Sequence, residues 1–395
     1  MKKNIAAVLL SVFLLTGCWD QKELADITVV TGMAVDKGID DKYRLSVEGI
    51  NATELNNRTA GGNAPSIVYG KEGNSLSELT RQMNEGISRN LLYSHMRTLF
   101  IAEEVAEAGM LEFLDYLERN REMRDDFNIV IVKDAKAEDV LKITYQFQKS
   151  TSLKFHTQLN TMVETWGGDP DVRLNDVISA WTSPGREPVM AAVSIQGDPE
   201  KGSSVDNMKK VTPDALAVLD SLAMFKGGKL KGYLSLEDAR NYLWTQDKIK
   251  HTSLTVSCGK NQYIDIRIYN TTTKTDARMV DGKAKVLVEI RGESFLEGTQ
   301  CPASVDKVST YEDFEEKTEK HIEKIVSETI KKVQENEKID IFGFGDVVRR
   351  KDYKNFKSIQ GNWDPYFAEA DVEVRALIKM RRTGIRTKSF LSETN

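Results

Sequence analysis

The chain has 395 residues, 40% of them hydrophobic and 29% charged, with 8 prolines and a formal net charge of −5. That composition excludes disorder as the main state. The mild acidic balance excludes nucleic acid as a partner, because phosphate binding needs a basic surface, and the length allows two or three domains.

Lys2 and Lys3 precede an uncharged, mostly apolar run over residues 5–15. It is too short for about 30 Å of hydrocarbon, which takes roughly 20 residues, so residues 1–17 read as a cleaved signal. Leu15-Thr16-Gly17-Cys18 puts small residues ahead of a cysteine, whose thiolate is the soft nucleophile able to take a diacylglyceryl group. Cys18 is therefore the expected lipidation site. Two acyl chains give stable anchoring, which places the remaining residues outside the cytoplasm on a membrane. No later stretch is long and apolar enough to span one.

Residues 27–35 and 43–50 read as a β-hairpin, residues 51–65 as a surface loop and 66–70 as a short strand. A helix is expected over 75–87, with Leu76, Leu79, Met83 and Ile87 on one face. A strand at 98–101, a helix carrying Met110, Leu111, Leu114 and Leu117, a buried strand at 127–132 and a helix at 135–143 follow. The polar run 146–152 marks the end of a first α+β domain, residues 18–150. A second, 151–250, reads as helical over 156–182, interrupted by Gly167-Gly168-Asp169-Pro170, then a strand at 189–195, a polar loop at 197–207 and a hairpin from 215–225 to 230–234. Ser235 is the N-cap of the next helix.

In the third domain, 251–395, strong alternation over 254–258, 263–269 and 284–290 predicts three consecutive antiparallel strands. An amphipathic helix over 310–334 is expected to pack across them, and alternation returns at 370–380. The fold class is α+β, three domains each with a mainly antiparallel or mixed sheet packed with helices.

No catalytic set emerges. His95, His156, His251 and His321 lack zinc-site spacing. His321 reads as a boundary residue of the long helix and His95 as a structural hydrogen-bonding residue. Gly343-Phe344-Gly345 reads as a turn that packs Phe342 and Phe344 against the sheet, since Val348 stands where a nucleotide-binding turn needs glycine. Asp125-Asp126 and Glu315-Glu316 read as solvated pairs, and Arg349-Arg350-Lys351 and 379–382 as exposed charge. No catalytic, metal or cofactor-binding residue is assigned. Cys258 and Cys301 share a domain, and a disulfide between them is chemically permitted outside the cytoplasm, but two small buried thiols are the favoured reading.

Cys18-Trp19-Asp20-Gln21-Lys22-Glu23-Leu24 resembles the processed N-terminus of the Ger(x)C lipoproteins, C subunits of nutrient germinant receptors in spore-forming bacteria. Tyr93-Ser94-His95 with Glu103-Glu104-Val105-Ala106, then Asp340-Ile341-Phe342-Gly343-Phe344-Gly345, and Ile378 with Arg381-Arg382-Thr383-Gly384 resemble further signatures in the expected order. The chain departs from the pattern at Ala102, where glycine is expected, and near Tyr353 and Phe356, where proline and tryptophan are. The resemblance implies a non-catalytic subunit on the outer face of the spore inner membrane, associated with an integral-membrane A subunit and a transporter-like B subunit. A solute-binding lipoprotein is the alternative reading, disfavoured by the consecutive antiparallel strands.

Overall fold

The computed structural model describes residues 26–56, 58, 60–302, 304 and 307–382. The signal segment, Cys18, the motif 19–24 and the pair Thr383-Gly384 lie outside the described residues. The fold is α+β, built on two sheets.

The first sheet contains β1 (Ile27–Lys37), β2 (Tyr43–Ile50), β3 (Ser66–Gly73), β4 (Asn90–Leu92), β5 (Thr98–Ala102), β6 (Asn128–Val132), β7 (Val189–Gly197), β8 (Ala215–Lys226) and β9 (Lys229–Ser235). Their order is β3-β2-β1-β5-β6-β7-β8-β9, with β4 paired to the start of β1. Strands β1, β5, β6 and β7 run parallel, and antiparallel hairpins complete both edges. The parallel centre reads as continuous apolar sequence because it is buried; every residue of β5 and β6 is buried. The sheet runs across position 150 without a break.

The polar run 146–152 has a different role from the interruption that its composition predicts. Ser150, Thr151 and Ser152 are buried and start the helix Thr151–Thr165. Glu48, fully buried on β2, accepts from the Thr151 and Ser152 N–H groups at 2.9 and 3.1 Å and from the hydroxyls of Thr31 and Ser150 at 3.0 and 3.1 Å. The first-turn N–H groups of a helix have no intrahelical partner, and a carboxylate there also meets the positive end of the helix dipole. Asp36 at the end of β1 does the same for the helix Ala137–Lys142, accepting from the Ala137 and Glu138 N–H groups at 2.6 and 2.9 Å.

The second sheet is β10 (His251–Gly259), β11 (Gln262–Val280), β12 (Lys283–Thr299) and β13 (Asp371–Arg382), in that order. Strands β10 to β12 are antiparallel as the alternation predicts, but β11 and β12 extend well beyond it. The Thr-rich run after Asn270 lacks apolar alternation and still pairs with β12, past an irregularity between Tyr269 and Thr272. Strand β13 runs parallel to β12, not antiparallel. The chain reaches it by crossing over through the long helix Val308–Asn336, and parallel neighbours require such a crossover. Phe314, Ile322, Val326, Ile330 and Val333 bury the apolar side of that helix.

Strand β13 is the last in its sheet, and its outward N–H groups are met by the same helix. Glu323, Glu319 and Glu315, spaced by four, accept from Ala376, Ile378 and Met380 at 3.0, 2.9 and 2.7 Å. One helical turn thus matches two strand residues, since 4 × 1.5 Å approximates 2 × 3.3 Å. Removing the middle rung with Glu319→Ala is expected to lower the urea-unfolding free energy by about 1–2 kcal/mol. Glu316→Ala, on the exposed side of the same helix, is expected to change it by less than about 0.5 kcal/mol; equal effects would show that the rungs contribute nothing.

Candidate functional site

The four histidines do not converge. His95 is exposed and its side chain makes no hydrogen bond among the described residues, so the structural bond expected for it is absent. His251 is exposed at the start of β10. His156 is half-buried with Nδ1 2.8 Å from Asn128 Oδ1. Asn128 donates its amide hydrogens to Asp171 and the Val172 carbonyl, so Oδ1 accepts and His156 Nδ1–H donates. Burial, then the Arg97 charge, hold His156 below the usual imidazole range. His321 sits half-buried on the long helix, with its pKa lowered by burial and by Arg240. Among the described residues no group of three or more His, Cys, Asp or Glu is placed to hold a metal ion. No described helix is long and apolar enough to cross a membrane. Cys258 on β10 and Cys301 beyond β12 are joined in a disulfide, with Cα atoms 6.5 Å apart.

What the structure does bring together is a seam between the two sheets, centred on Asp340. This residue follows the long helix and is fully buried. Its Oδ1 accepts from Gly343 N–H at 2.8 Å, and its Oδ2 from Gly345 N–H at 2.7 Å and Trp363 Nε1–H at 2.8 Å. Burial pushes the carboxyl up to about 6 against the pull of these donors. Gly343 has φ +77°, a left-handed conformation open to glycine, and it caps the helix Phe344–Lys351. The turn stacks Phe342 on Phe344, ring centroids 5.3 Å apart, with Phe367 at 6.2 and 6.3 Å.

The first sheet closes on this turn from the segment before β7. Glu187 N–H donates to the Asp340 carbonyl at 2.8 Å, and Ser183 hydrogen-bonds Asp346. Gly185 lies so close that a Cβ there would stand 2.4 Å from the Gly345 carbonyl carbon and 2.6 Å from Asp346 N. The helix Leu236–Thr245 straps the seam from the other side. Its N-cap Ser235 accepts from Asp238 N–H at 3.1 Å, as its sequence predicts. Asp238 accepts from Thr329 at 2.7 Å and pairs with Lys332 at 2.6 Å, and Gln246 donates to the Phe342 carbonyl at 3.0 Å.

A second tie is the turn at 167–172. Thr252 donates to the Trp166 carbonyl at 2.8 Å, Lys248 donates to the Pro170 carbonyl at 3.1 Å, and the Arg240 guanidinium lies 4.9 Å from the Trp166 ring centroid. Asp169 is buried beneath the turn. Burial drives its carboxyl up to about 7, against the Asp171 N–H that it accepts at 2.8 Å.

Sequence reading missed Asp340 and Trp363 as partners, since tryptophan is expected nearer Tyr353 and Phe356. It also read Glu315 as solvated, whereas Glu315 holds Met380 N–H and Lys379; the signal was the row Glu315, Glu319, Glu323 beside the apolar stripe. Glu316 does pair with Lys320 on the exposed side.

Two outcomes are expected. Gly185→Ala forces backbone apart at the seam and should lower the unfolding free energy by about 1–3 kcal/mol, while Gly361→Ala, where an added Cβ meets nothing within 4 Å, should leave it unchanged. Asp169 titrates in the fold above its unfolded value, so the native state binds the proton more readily and loses stability as pH rises from about 4 through about 7. Asp169→Asn removes that loss, and urea titrations at pH 5 and pH 8 should show the variant gaining about 2–3 kcal/mol relative to the parent. A gain independent of pH would exclude this titration.

Comparison with known proteins places these features in a family. Residues 20–195 match the "Spore germination protein N-terminal domain" and residues 220–384 the "Spore germination B3/ GerAC like, C-terminal" domain. The chain is 31% identical to Spore germination protein KC of Bacillus subtilis (strain 168) over 396 residues, covering 98% of this chain and 97% of that protein. It is 21% identical over 404 residues to Spore germination protein YndF of the same organism, covering 94% and 95%. The crystal structure of the GerBC protein superposes with a TM-score of 0.56 at 18% identity, over 88% of this chain and 96% of that one, a likeness of fold. With both domain matches in order and the full-length likeness to the KC protein, the chain belongs to the Ger(x)C family of spore germination proteins.

Proposed function

We propose that this chain is the non-catalytic, lipid-anchored C subunit of a spore nutrient germinant receptor, acting in receptor assembly or signalling. Diacylglyceryl on Cys18 holds it to the outer face of the spore inner membrane, beside the integral-membrane A and B subunits. The observation that carries this reading is the likeness to Spore germination protein KC along nearly the whole of both chains. A tether concentrates the ectodomain near its partners, so modest contacts suffice to hold a complex. The Cys258–Cys301 disulfide suits that location, where oxidised cysteines persist. The antiparallel β10–β12 meander sets the chain apart from the two parallel-sheet lobes expected of a solute-binding lipoprotein.

The test is a membrane-fraction pull-down from dormant spores, comparing the native chain with Cys18→Ala. The A and B subunits are expected to co-purify with the native chain and to be reduced or lost with the variant. Recovery of a transporter permease in their place would overturn the reading.

A further inference from the structure

The two most exposed large apolar side chains among the described residues are Phe147, 97% exposed, and Val211, 99% exposed. They stand on neighbouring loops. Phe147 lies between the helices Ala137–Lys142 and Thr151–Thr165, and Val211 between β7 and β8. Gln146 donates its side-chain amide to the Lys210 carbonyl at 2.8 Å, so each apolar residue is next in sequence to one end of the bond that joins the loops. Their base is fixed beneath. Thr144 donates to the Ser204 carbonyl at 2.7 Å, and the Asn207 amide donates to the carbonyls of Thr144 and Ala215 at 2.9 and 3.1 Å. A single exposed apolar side chain is ordinary. Two held side by side on a rigid base, with nearly all their surface in water, mark a contact surface.

The shape and surroundings of this tip indicate its partner. Side chains so little covered protrude, and they leave no groove for a peptide to lie in. A bilayer interface needs none, because lipid closes around an inserted apolar side chain. The collar around the tip is weakly basic. Lys209 and Lys210 pair with Asp206 and Asp214 at 3.1 and 2.5 Å, while Lys149 donates to the Glu54 carbonyl at 2.6 Å. Contact with lipid therefore rests on the apolar tip more than on charge. The path of the chain allows it. The Ser150 hydroxyl, in the loop of Phe147, is 3.1 Å from that of Thr31 on β1, which keeps Phe147 within about 30 Å of the start of that strand. The stretch from Cys18 to Ile27 itself spans up to about 30 Å when extended.

We propose that Phe147 and Val211 insert into the interfacial region of a lipid bilayer and form a second membrane contact that orients the first sheet. The proposal rests on the reading of Cys18 as a tether, and adds to it. Acyl chains at the end of a long linker hold a domain near lipid without choosing which side faces it. One phenyl and one isopropyl group would bind lipid weakly from solution. Once a tether has brought them to the surface, that small affinity is enough to set the orientation.

The test uses residues 18–395 coupled through the Cys18 thiol to a maleimide phospholipid in phosphatidylethanolamine–phosphatidylglycerol vesicles; Cys258 and Cys301 are joined and do not react. Gln148→Trp places an indole beside Phe147 without replacing it. Its emission, taken as the difference from the unsubstituted chain, is expected to shift to the blue and to be quenched by brominated lipid. Adding Phe147→Ser and Val211→Ser, at positions outside the core, should lower the ratio of immersed to free tip at least about tenfold, the order expected for exposing a phenyl ring. Ile39→Trp, on the exposed turn beyond the other end of β1, should show neither the shift nor the quenching. An aqueous spectrum for Gln148→Trp, immersion indifferent to the two serines, or immersion of Ile39→Trp in place of Gln148→Trp would overturn the proposal. A blue shift that required added membrane proteins would also overturn it, in favour of a protein partner. Because the anchor is supplied chemically, none of these outcomes bears on whether the cell acylates Cys18 or whether A and B subunits co-purify, so the two readings fail independently.

Discussion

A buried carboxylate with three N–H donors is the joint on which this architecture turns. Asp340 collects the backbone of Gly343 and Gly345 and the indole of Trp363, and in doing so fixes the turn against which the first sheet packs. Removing a charge from water is costly unless its lone pairs are filled. Here every donor comes from a group that would itself be orphaned in the interior. The same solution recurs at Glu48 and Asp36, where carboxylates on strands hold helix N-termini more than a hundred residues away in sequence. Long-range order in this chain rests on acids satisfying backbone.

These contacts bind the two sheets across a seam lined with backbone. Gly185 and Gly345 meet with no room for a side chain, and the helix Leu236–Thr245 spans from β9 to the long helix. Close packing of this kind transmits displacement well, because interiors have few voids to absorb it. The long helix is tied to the first sheet's side of the molecule through Asp238, Thr329 and Lys332 at one place and through Asp340 and Glu187 at another.

Sequence periodicity revealed most of the elements and little of what joins them. The hairpin 27–50 and the long helix announce themselves through two- or four-residue apolar spacing, and the helix that begins after Ser235 through its cap. The late part of β11 does not, because its Thr-rich stretch is held by pairing with β12 and exposes both polar and small side chains. Strand direction was equally hidden: nothing in the alternation of 370–380 distinguishes a parallel β13 from an antiparallel one. The distant carboxylates that cap from another element were missed for a chemical reason. An aspartate or glutamate reads as a solvated charge, and only the fold reveals which of them faces an unpaired N–H.

The row of glutamates along β13 also affects how copies of the molecule behave together. An unsatisfied strand edge is a template for a neighbour's chain wherever copies are concentrated. By filling outward N–H groups of that strand with carboxylates of its own long helix, the protein removes the template. Copies of this chain at high concentration are therefore denied one route to edge-to-edge fibres.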